Sequence, residues 1–367
     1  MWDTVGILKM QGTTGFQSTP TRKRSAMKQN MKFAAATASV LAIGVTAVSA
    51  EVSWDMSIVW PEGNFHTKNA MQFADTVREV TDGEVNITVH SGGALGIKGP
   101  EGMAAVRDGL VPIADILMSQ QVGENPAFGV ETLPYLAPTL PDLALLHKFY
   151  RPMIESIAED MNQKLLYMVP WPGQAVYSPN KIETLADLEG LTIRVVDANG
   201  NAFFDALGAA PLQMPWGEVV PSLAAGTIKA VTTSSSSGVD GAFWEFMDNM
   251  STFNWQASSN IVTVNLDAWN ALSEEDQVAI ENAAASLEGQ FWLNSANEDS
   301  TKIATLEENG MTVSAPSPEL KAELIEKAKP LWEAFKIGGS GCLNSLELCS
   351  KWIFRSVMPR PELAGTG

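Results

Sequence analysis

Strand–helix alternation, met twice along the chain, is the feature that most limits what this sequence can fold into. Val52 to Val59 reads as a strand, and Ala70, Phe73, Ala74 and Val77 recur at i, i+3, i+4 and i+7, the core face of a helix. Thr81-Asp82-Gly83 ends that helix. Glu84 to Val89 is a second strand, a helix follows Pro100 as far as Gly109, and Ile113 to Met118 is a third strand. This order builds a parallel sheet with crossover helices. A longer helix is predicted over Asp142 to Lys164 and a strand over Leu165 to Trp171. From Leu191 the pattern restarts, with strands near Leu191–Val196, Leu212–Met214 and Ala230–Thr233 and helices beginning near Asn199 and Trp216. That is a second α/β unit.

Two further helices close the chain. Ser273 is an N-cap with Glu274, Glu275 and Asp276 in the first turn, where the helix dipole favours acids, and Ile280, Ala284, Leu287 and Phe291 repeat on one face. The last helix carries Leu320, Leu324, Ala328, Leu331 and Phe335 on its buried side. With 45% hydrophobic residues and about 317 residues after position 50, the chain is long enough for two cores. The predicted fold class is therefore α/β and two-lobed, with a ligand enclosed where strands cross between the lobes.

One charge stands inside an apolar strand: Arg194, in Leu191-Thr192-Ile193-Arg194-Val195-Val196. A guanidinium withdrawn from water needs a partner, and its planar fork matches a carboxylate with two parallel bonds. The partner is either an internal Asp or Glu or a ligand.

The block Asp187-Leu188-Glu189-Gly190-Leu191-Thr192-Ile193-Arg194-Val195 resembles the D-L-x-G-L-x-I-R-V block of the solute-binding proteins of TRAP (tripartite ATP-independent periplasmic) transporters, of the dicarboxylate-binding type. Leu207-Gly208-Ala209-Ala210-Pro211-Leu212 and then Glu218-Val219-Val220-Pro221-Ser222-Leu223-Ala224-Ala225-Gly226-Thr227-Ile228-Lys229-Ala230 follow in the family's order, and the resemblance runs from about Glu51 to Phe335. It implies a periplasmic-binding-protein-like fold with hinge strands and a long helix spanning both lobes. It also implies that Arg194 pairs with a ligand carboxylate, that TRAP membrane permease subunits receive the ligand, and that capture needs no ATP, cofactor or metal. The expected organisation is a signal peptide over 1–50, a first lobe over 51–170 plus later crossing segments, a second-lobe core over 171–265, a helical segment over 266–337 spanning or returning to both lobes, and an atypical tail over 338–367.

The N-terminus supports export. Arg22-Lys23-Arg24, Lys28 and Lys32 form a basic region, Phe33 to Val48 is small and apolar, and Val48-Ser49-Ala50 fits a cleavage site, so the mature protein is expected in the periplasm, starting after Ala50. Met27 or Met31 would begin a signal peptide of ordinary length. The first fifty residues hold six of the 24 Lys/Arg and one of the 42 Asp/Glu, leaving 18 basic against 41 acidic residues and a net charge of −23. Nucleic acid and anionic membrane surfaces are therefore disfavoured as partners. The same field repels an anionic ligand, which only a local positive site can overcome.

Eleven tryptophans are present. Trp60, Trp171 and Trp216 fall at strand ends or turns, where the cleft of a two-lobed α/β protein lies, and are read either as core or as walls for an apolar, aromatic or cationic body. Some family members carry a second arginine twenty residues before the strand arginine, a spacing occupied here by Gln174, which argues against sialic-acid-type recognition. Beyond the third strand of the second unit comes Thr232-Thr233-Ser234-Ser235-Ser236-Ser237-Gly238, either a flexible loop or a set of hydroxyls, Ser234, Ser235 and Ser236 foremost, that meet the ligand. His66 opens the first helix, facing the cleft or capped at the surface.

Glu218 reads as helix-terminal, and Asp240 and Glu245 as either closing the site or solvated. One anion anchor among apolar walls predicts a monocarboxylate with an aromatic, branched or cationic body in preference to succinate or malate. Two other classes carry less support: a ligand-presenting sensor partner, and a secreted enzyme on a small acid with Asp240 or Glu245 as base. His66, His90 and His147 lie too far apart for a local zinc motif. Cys342 and Cys349, seven positions apart, would sit about 10 Å apart on a helix, beyond disulfide reach.

Overall fold

The computed structural model describes residues 51–335. In the first lobe β1 (Val52–Ser57), α1 (Phe65–Val80), β2 (Val85–His90), α2 (Gly102–Arg107) and β3 (Ile113–Leu117) follow in turn, with β1 parallel to both β2 and β3. α1 begins where the Asn64 side chain accepts the His66 N–H, and Ala70, Phe73, Ala74 and Val77 are buried as their spacing predicts. α3 (Leu140–Asp160) stops short of the expected Lys164, because Asn162 turns left-handed at φ 57° and β4 (Gln163–Pro170) starts immediately.

Within a few residues the chain has entered the second lobe as β5 (Ala175–Ser178), a strand not anticipated from the sequence. All four of its residues are buried, so it lacks the alternation that marks a half-exposed strand. Next come β6 (Thr192–Val195), α4 (Ala198–Ala206), β7 (Ala210–Gln213), α5 (Val219–Ala224) and β8 (Ala230–Thr233), with β6 between and parallel to its two neighbours. α6 (Ser235–Asp240) grows directly from the hydroxyl run, the Ser234 Oγ accepting the Ser237 N–H at 3.2 Å. The run is a capped helix start and not a loop, since serine is a preferred N-cap and the three residues after it are buried.

β9 (Asn249–Ser251) pairs antiparallel with β5, and β10 (Ser259–Asn265) then returns to the first lobe, antiparallel between β3 and β4. The last seven residues of the expected second-lobe span 171–265 thus fill the gap between two strand edges of the other sheet, one of the later crossing segments expected of the first lobe. Among the described residues the two sheets run β2-β1-β3-β10-β4 and, with the later strand β11 (Thr312–Ser314), β11-β9-β5-β8-β6-β7.

After α7 (Leu266–Asn270), α8 (Glu274–Glu308) extends for 35 residues, its Ser273 cap accepting the Asp276 N–H. Ile280, Ala284 and Phe291 join the core of the first lobe, whereas Leu306 joins a core cluster of the second. A helix of that length spans roughly 50 Å, enough to cross both lobes. β11 (Thr312–Ser314) pairs with β9, and α9 (Pro318–Ala334) buries Leu320, Leu324 and Ala328 against the second sheet. The expected signal peptide, Cys342, Cys349 and the tail lie outside the described residues.

Gly238 is where α6 meets β5: a Cβ there would overlap the Tyr177 phenol, whose hydroxyl donates to the Ser234 carbonyl at 3.0 Å. Gly238→Ala should therefore destabilise the fold by about 1–3 kcal/mol through overpacking. Urea unfolding checks this, and an unchanged midpoint would mean that α6 shifts freely over the sheet.

Candidate functional site

Arg194 is placed by the strand order. β6 is interior to its sheet, so the guanidinium, on a residue only 2% exposed, cannot reach solvent along an edge. Its Nε and Nη2 both donate to the Met214 carbonyl, at 3.1 and 2.9 Å, which fixes the fork beside the turn after β7. Two of the five guanidinium N–H groups are thereby used. Burial lowers the Arg194 pKa to about 10, opposed by the charge of Asp197, and the group remains a cation at neutral pH.

Asp197 is the internal carboxylate whose field Arg194 feels, but its own bonds go elsewhere. It caps α4 by accepting the Gly200 N–H at 2.8 Å and also accepts from the Gln256 side chain at 3.3 Å. Burial raises its pKa. Arg194 thus has a charge nearby without a bidentate partner.

The chain brings Trp60, Trp171, Gln174, Arg194 and Trp216 together around one pocket, with Leu117, Val196, Thr233, Ser237 and Ser258. The cavity among them measures about 20 Å³, room for about one water molecule. Trp171 and Gln174 lie on the passage from β4 to β5, and Ser258 on the return from β9 to β10. These passages are bonded to each other, Trp171 N–H to the Ser258 carbonyl at 2.8 Å and Gln174 N–H to the Gln256 carbonyl at 3.4 Å. The pocket floor is therefore the junction of the lobes.

Trp60 and Trp171 meet edge to face at 4.6 Å, and Trp216, from the other lobe, stands 6.2 Å from Trp60. Both first-lobe indoles are held from behind. Trp60 Nε1 donates to Asp115 Oδ1 at 3.2 Å, Trp171 Nε1 donates to Asn260 Oδ1 at 2.7 Å, and the Asn260 amide donates to the same Asp115 oxygen. Asp115 and Asn260 sit on the adjacent strands β3 and β10, and no local motif in the sequence joins them.

The remaining expected residues do not line the pocket. His66 is buried, not capped at the surface: its ring packs against Phe65 at 4.1 Å and Trp171 at 4.3 Å. Burial holds its pKa well below the usual value, so its 3.9 Å approach to Asp115 is not an ion pair. From the hydroxyl run, Ser234 caps α6, the Ser235 Oγ donates to Asp299 at 2.6 Å, and the buried Ser236 Oγ has no partner. Ser237 and Thr233 take the lining positions instead, because α6 turns that face of the run to the cleft.

Two contacts cross the rim. Lys98 pairs with Glu218 at 3.0 Å, and the Asn64 amide donates to Asp240 at 2.6 Å. Glu218 is helix-terminal as read and also reaches the opposite lobe. Asp240 is raised to about 6 by burial, while Glu245 is exposed.

Burial pushes Asp115 up to about 7, against the two hydrogen bonds that lower it. A carboxyl raised on folding binds more protons in the native than in the unfolded state between about pH 4 and 7, so stability falls as pH rises through that window. Both indole-side donors converge on Oδ1, which an asparagine oxygen can replace. Asp115→Asn should therefore remove this component and be more stable relative to wild type at pH 7 than at pH 4.5, by on the order of 1–4 kcal/mol. Thermal unfolding across this range measures it; parallel pH profiles would show that the Asp115 carboxyl is not shifted.

Known proteins similar to this chain share its fold. The family model described as bacterial extracellular solute-binding protein, family 7, matches residues 56–337. The crystal structure of DctP7, a Bordetella pertussis extracytoplasmic solute receptor binding pyroglutamic acid, is 29% identical with a TM-score of 0.78, covering 83% of this chain and 99% of that one. A solute-binding protein of Chromohalobacter salexigens is 26% identical, with 86% of this chain and 94% of the relative covered. The ectoine/5-hydroxyectoine-binding periplasmic protein UehA of Ruegeria pomeroyi is 25% identical, with 70% and 77% covered. Both the match across most of its length and the two-lobed α/β fold place this chain: it belongs to the bacterial extracellular solute-binding proteins of family 7, the TRAP-type solute-binding proteins.

Proposed function

We propose that this protein captures a compact organic monocarboxylate between its lobes, in the periplasm after cleavage behind Ala50, and hands it to the membrane subunits of a TRAP-type ion-coupled permease. The observation that carries the reading is Arg194: a buried cation, two of its N–H groups on a carbonyl, on a pocket shared with three indoles. A ligand carboxylate would complete its fork with charge-assisted bonds and offset the cost of its burial. Because the mature chain is strongly acidic, this local field is what attracts the anion.

Among the described residues lining the pocket, Arg194 is the one cation. A dicarboxylate would bury its second charge against Leu117, Val196 and indole, at a cost of several kcal/mol. A single carboxylate on a small ring or branched body carries no second charge and, with the lobes parted to admit it, would leave its apolar part against Trp60, Trp171 and Trp216. Pyroglutamate, which the similar Bordetella pertussis receptor binds, has this form and is the first compound to test.

Arg194→Ala should weaken monocarboxylate binding by about 2–5 kcal/mol, because the anion is left unpaired in a closed cleft. Calorimetry showing less than a tenfold loss would reject Arg194 as the anchor. Trp216→Ala should cost about 1–3 kcal/mol if the ring packs on the ligand. In competition, succinate displacing every monocarboxylate tested would favour a dicarboxylate receptor instead.

A further inference from the structure

We infer that Gln174 makes the site selective for carboxylates that carry an N–H donor on the atom next to the carboxylate-bearing carbon, as in lactams and N-acyl amino acids. This rests on the proposed carboxylate capture and narrows its ligand class. Gln174 is 3% exposed and lines the same pocket as Arg194, yet its Oε1 is buried with no hydrogen-bond partner. A buried amide oxygen left unpaired is a standing cost of folding, which a ligand donor removes. The neighbouring hydroxyl of Ser237 already shares a hydrogen with Ser234 at 3.2 Å, so the run that lines the opposite wall is partly spent on itself.

The side chain is held where it can discriminate. Its backbone N–H is bonded to Gln256 across the lobe junction, and a Cβ on the preceding Gly173 would overlap Asn254, so this crossing segment is closely packed against its counterpart. A neutral acceptor also suits its place near a lone cation. A glutamate here would pair with Arg194 internally and compete with the ligand carboxylate, whereas an amide leaves the guanidinium charge to the ligand. With the carboxylate on Arg194, an N–H one atom removed would be offered to Oε1, which lines the same pocket without a partner. A ring oxygen in that position would oppose two lone pairs, and a methylene would leave Oε1 unpaired.

Pyroglutamic acid and ectoine, bound by two of the similar proteins, are both small rings with a ring N–H beside the carboxylated carbon. That shared arrangement is what a Gln174 acceptor would select.

Calorimetry on the mature protein separates the ideas, using pyroglutamate, its lactone isostere, in which ring oxygen replaces the N–H, and its carbocyclic isostere, in which a methylene replaces it. Wild type should prefer the lactam to either isostere by at least about tenfold. Gln174→Leu should bring the three within about threefold of one another, and Gln174→Glu should weaken all of them together. The wild-type comparison needs no variant to fold. Isosteres bound within threefold of the lactam, or a preference retained in Gln174→Leu, would overturn the role of Gln174. Arg194-dependent binding of other carboxylates with none of the three bound would overturn N–H selectivity alone. Failure of every carboxylate to bind would overturn the carboxylate reading and this inference with it.

Discussion

A guanidinium held inside a β-sheet has to be accommodated by everything around it. β6 lies between two parallel neighbours, so Arg194 has no edge through which to reach water, and the Met214 carbonyl takes two of its N–H groups. The turn after β7, which supplies that carbonyl, also brings Trp216 to the cleft. One interaction therefore orients the anchor and places the indole that the second lobe contributes. Asp197, close enough to moderate the charge, is bound to the start of α4 and to Gln256 and does not satisfy the fork.

The first lobe answers with a scaffold of its own. Asp115 and Asn260, on strands paired across the first sheet, hold the N–H groups of Trp60 and Trp171, so the protein itself fixes the rings. Preorganised walls bind with less loss of side-chain entropy than mobile ones. The arrangement has a cost, because a carboxyl buried behind aromatic rings is forced toward its protonated form. His66, neutral and packed on Trp171, fills the remaining space without adding a charge.

Much of the fold was legible because its helices announce themselves. The apolar face of α1, the Ser273 cap of α8 and the α9 stripe all appear where spacing and capping chemistry put them. What escaped was nonlocal or symmetric in pattern. β5 is buried throughout and so carries no period, and β10 belongs to the first sheet only because two distant strands leave a gap for it. The same division holds at the site. Arg194 and the three tryptophans are out of keeping with their local surroundings, Gln174 stands at a spacing where some family members carry arginine, and all line one pocket. Asp115 and Asn260 look ordinary in sequence, since their meaning lies in a pairing 145 residues apart. Of the serines, Ser234 is engaged as the α6 cap and Ser235 on Asp299, and it is Ser237, with Thr233, that lines the pocket.

Closure has to be balanced for a receptor that must also release. The contacts at the rim, Lys98 with Glu218 and Asn64 with Asp240, are polar, and the first is exposed on both sides, so salt and water weaken it. A strong apolar latch would hold the lobes shut whether or not the cleft were filled, and a ligand can shift an equilibrium only by its differential affinity for the two states. Weak rim pairs leave that differential to the interior, where the proposed carboxylate on Arg194 and apolar contacts with indoles from both lobes would form only when the lobes meet. The junction strands carry Trp171, Gln174 and Ser258 themselves. A ligand held as proposed would touch the segments that cross between the lobes, which would couple occupancy of the pocket to the angle between them.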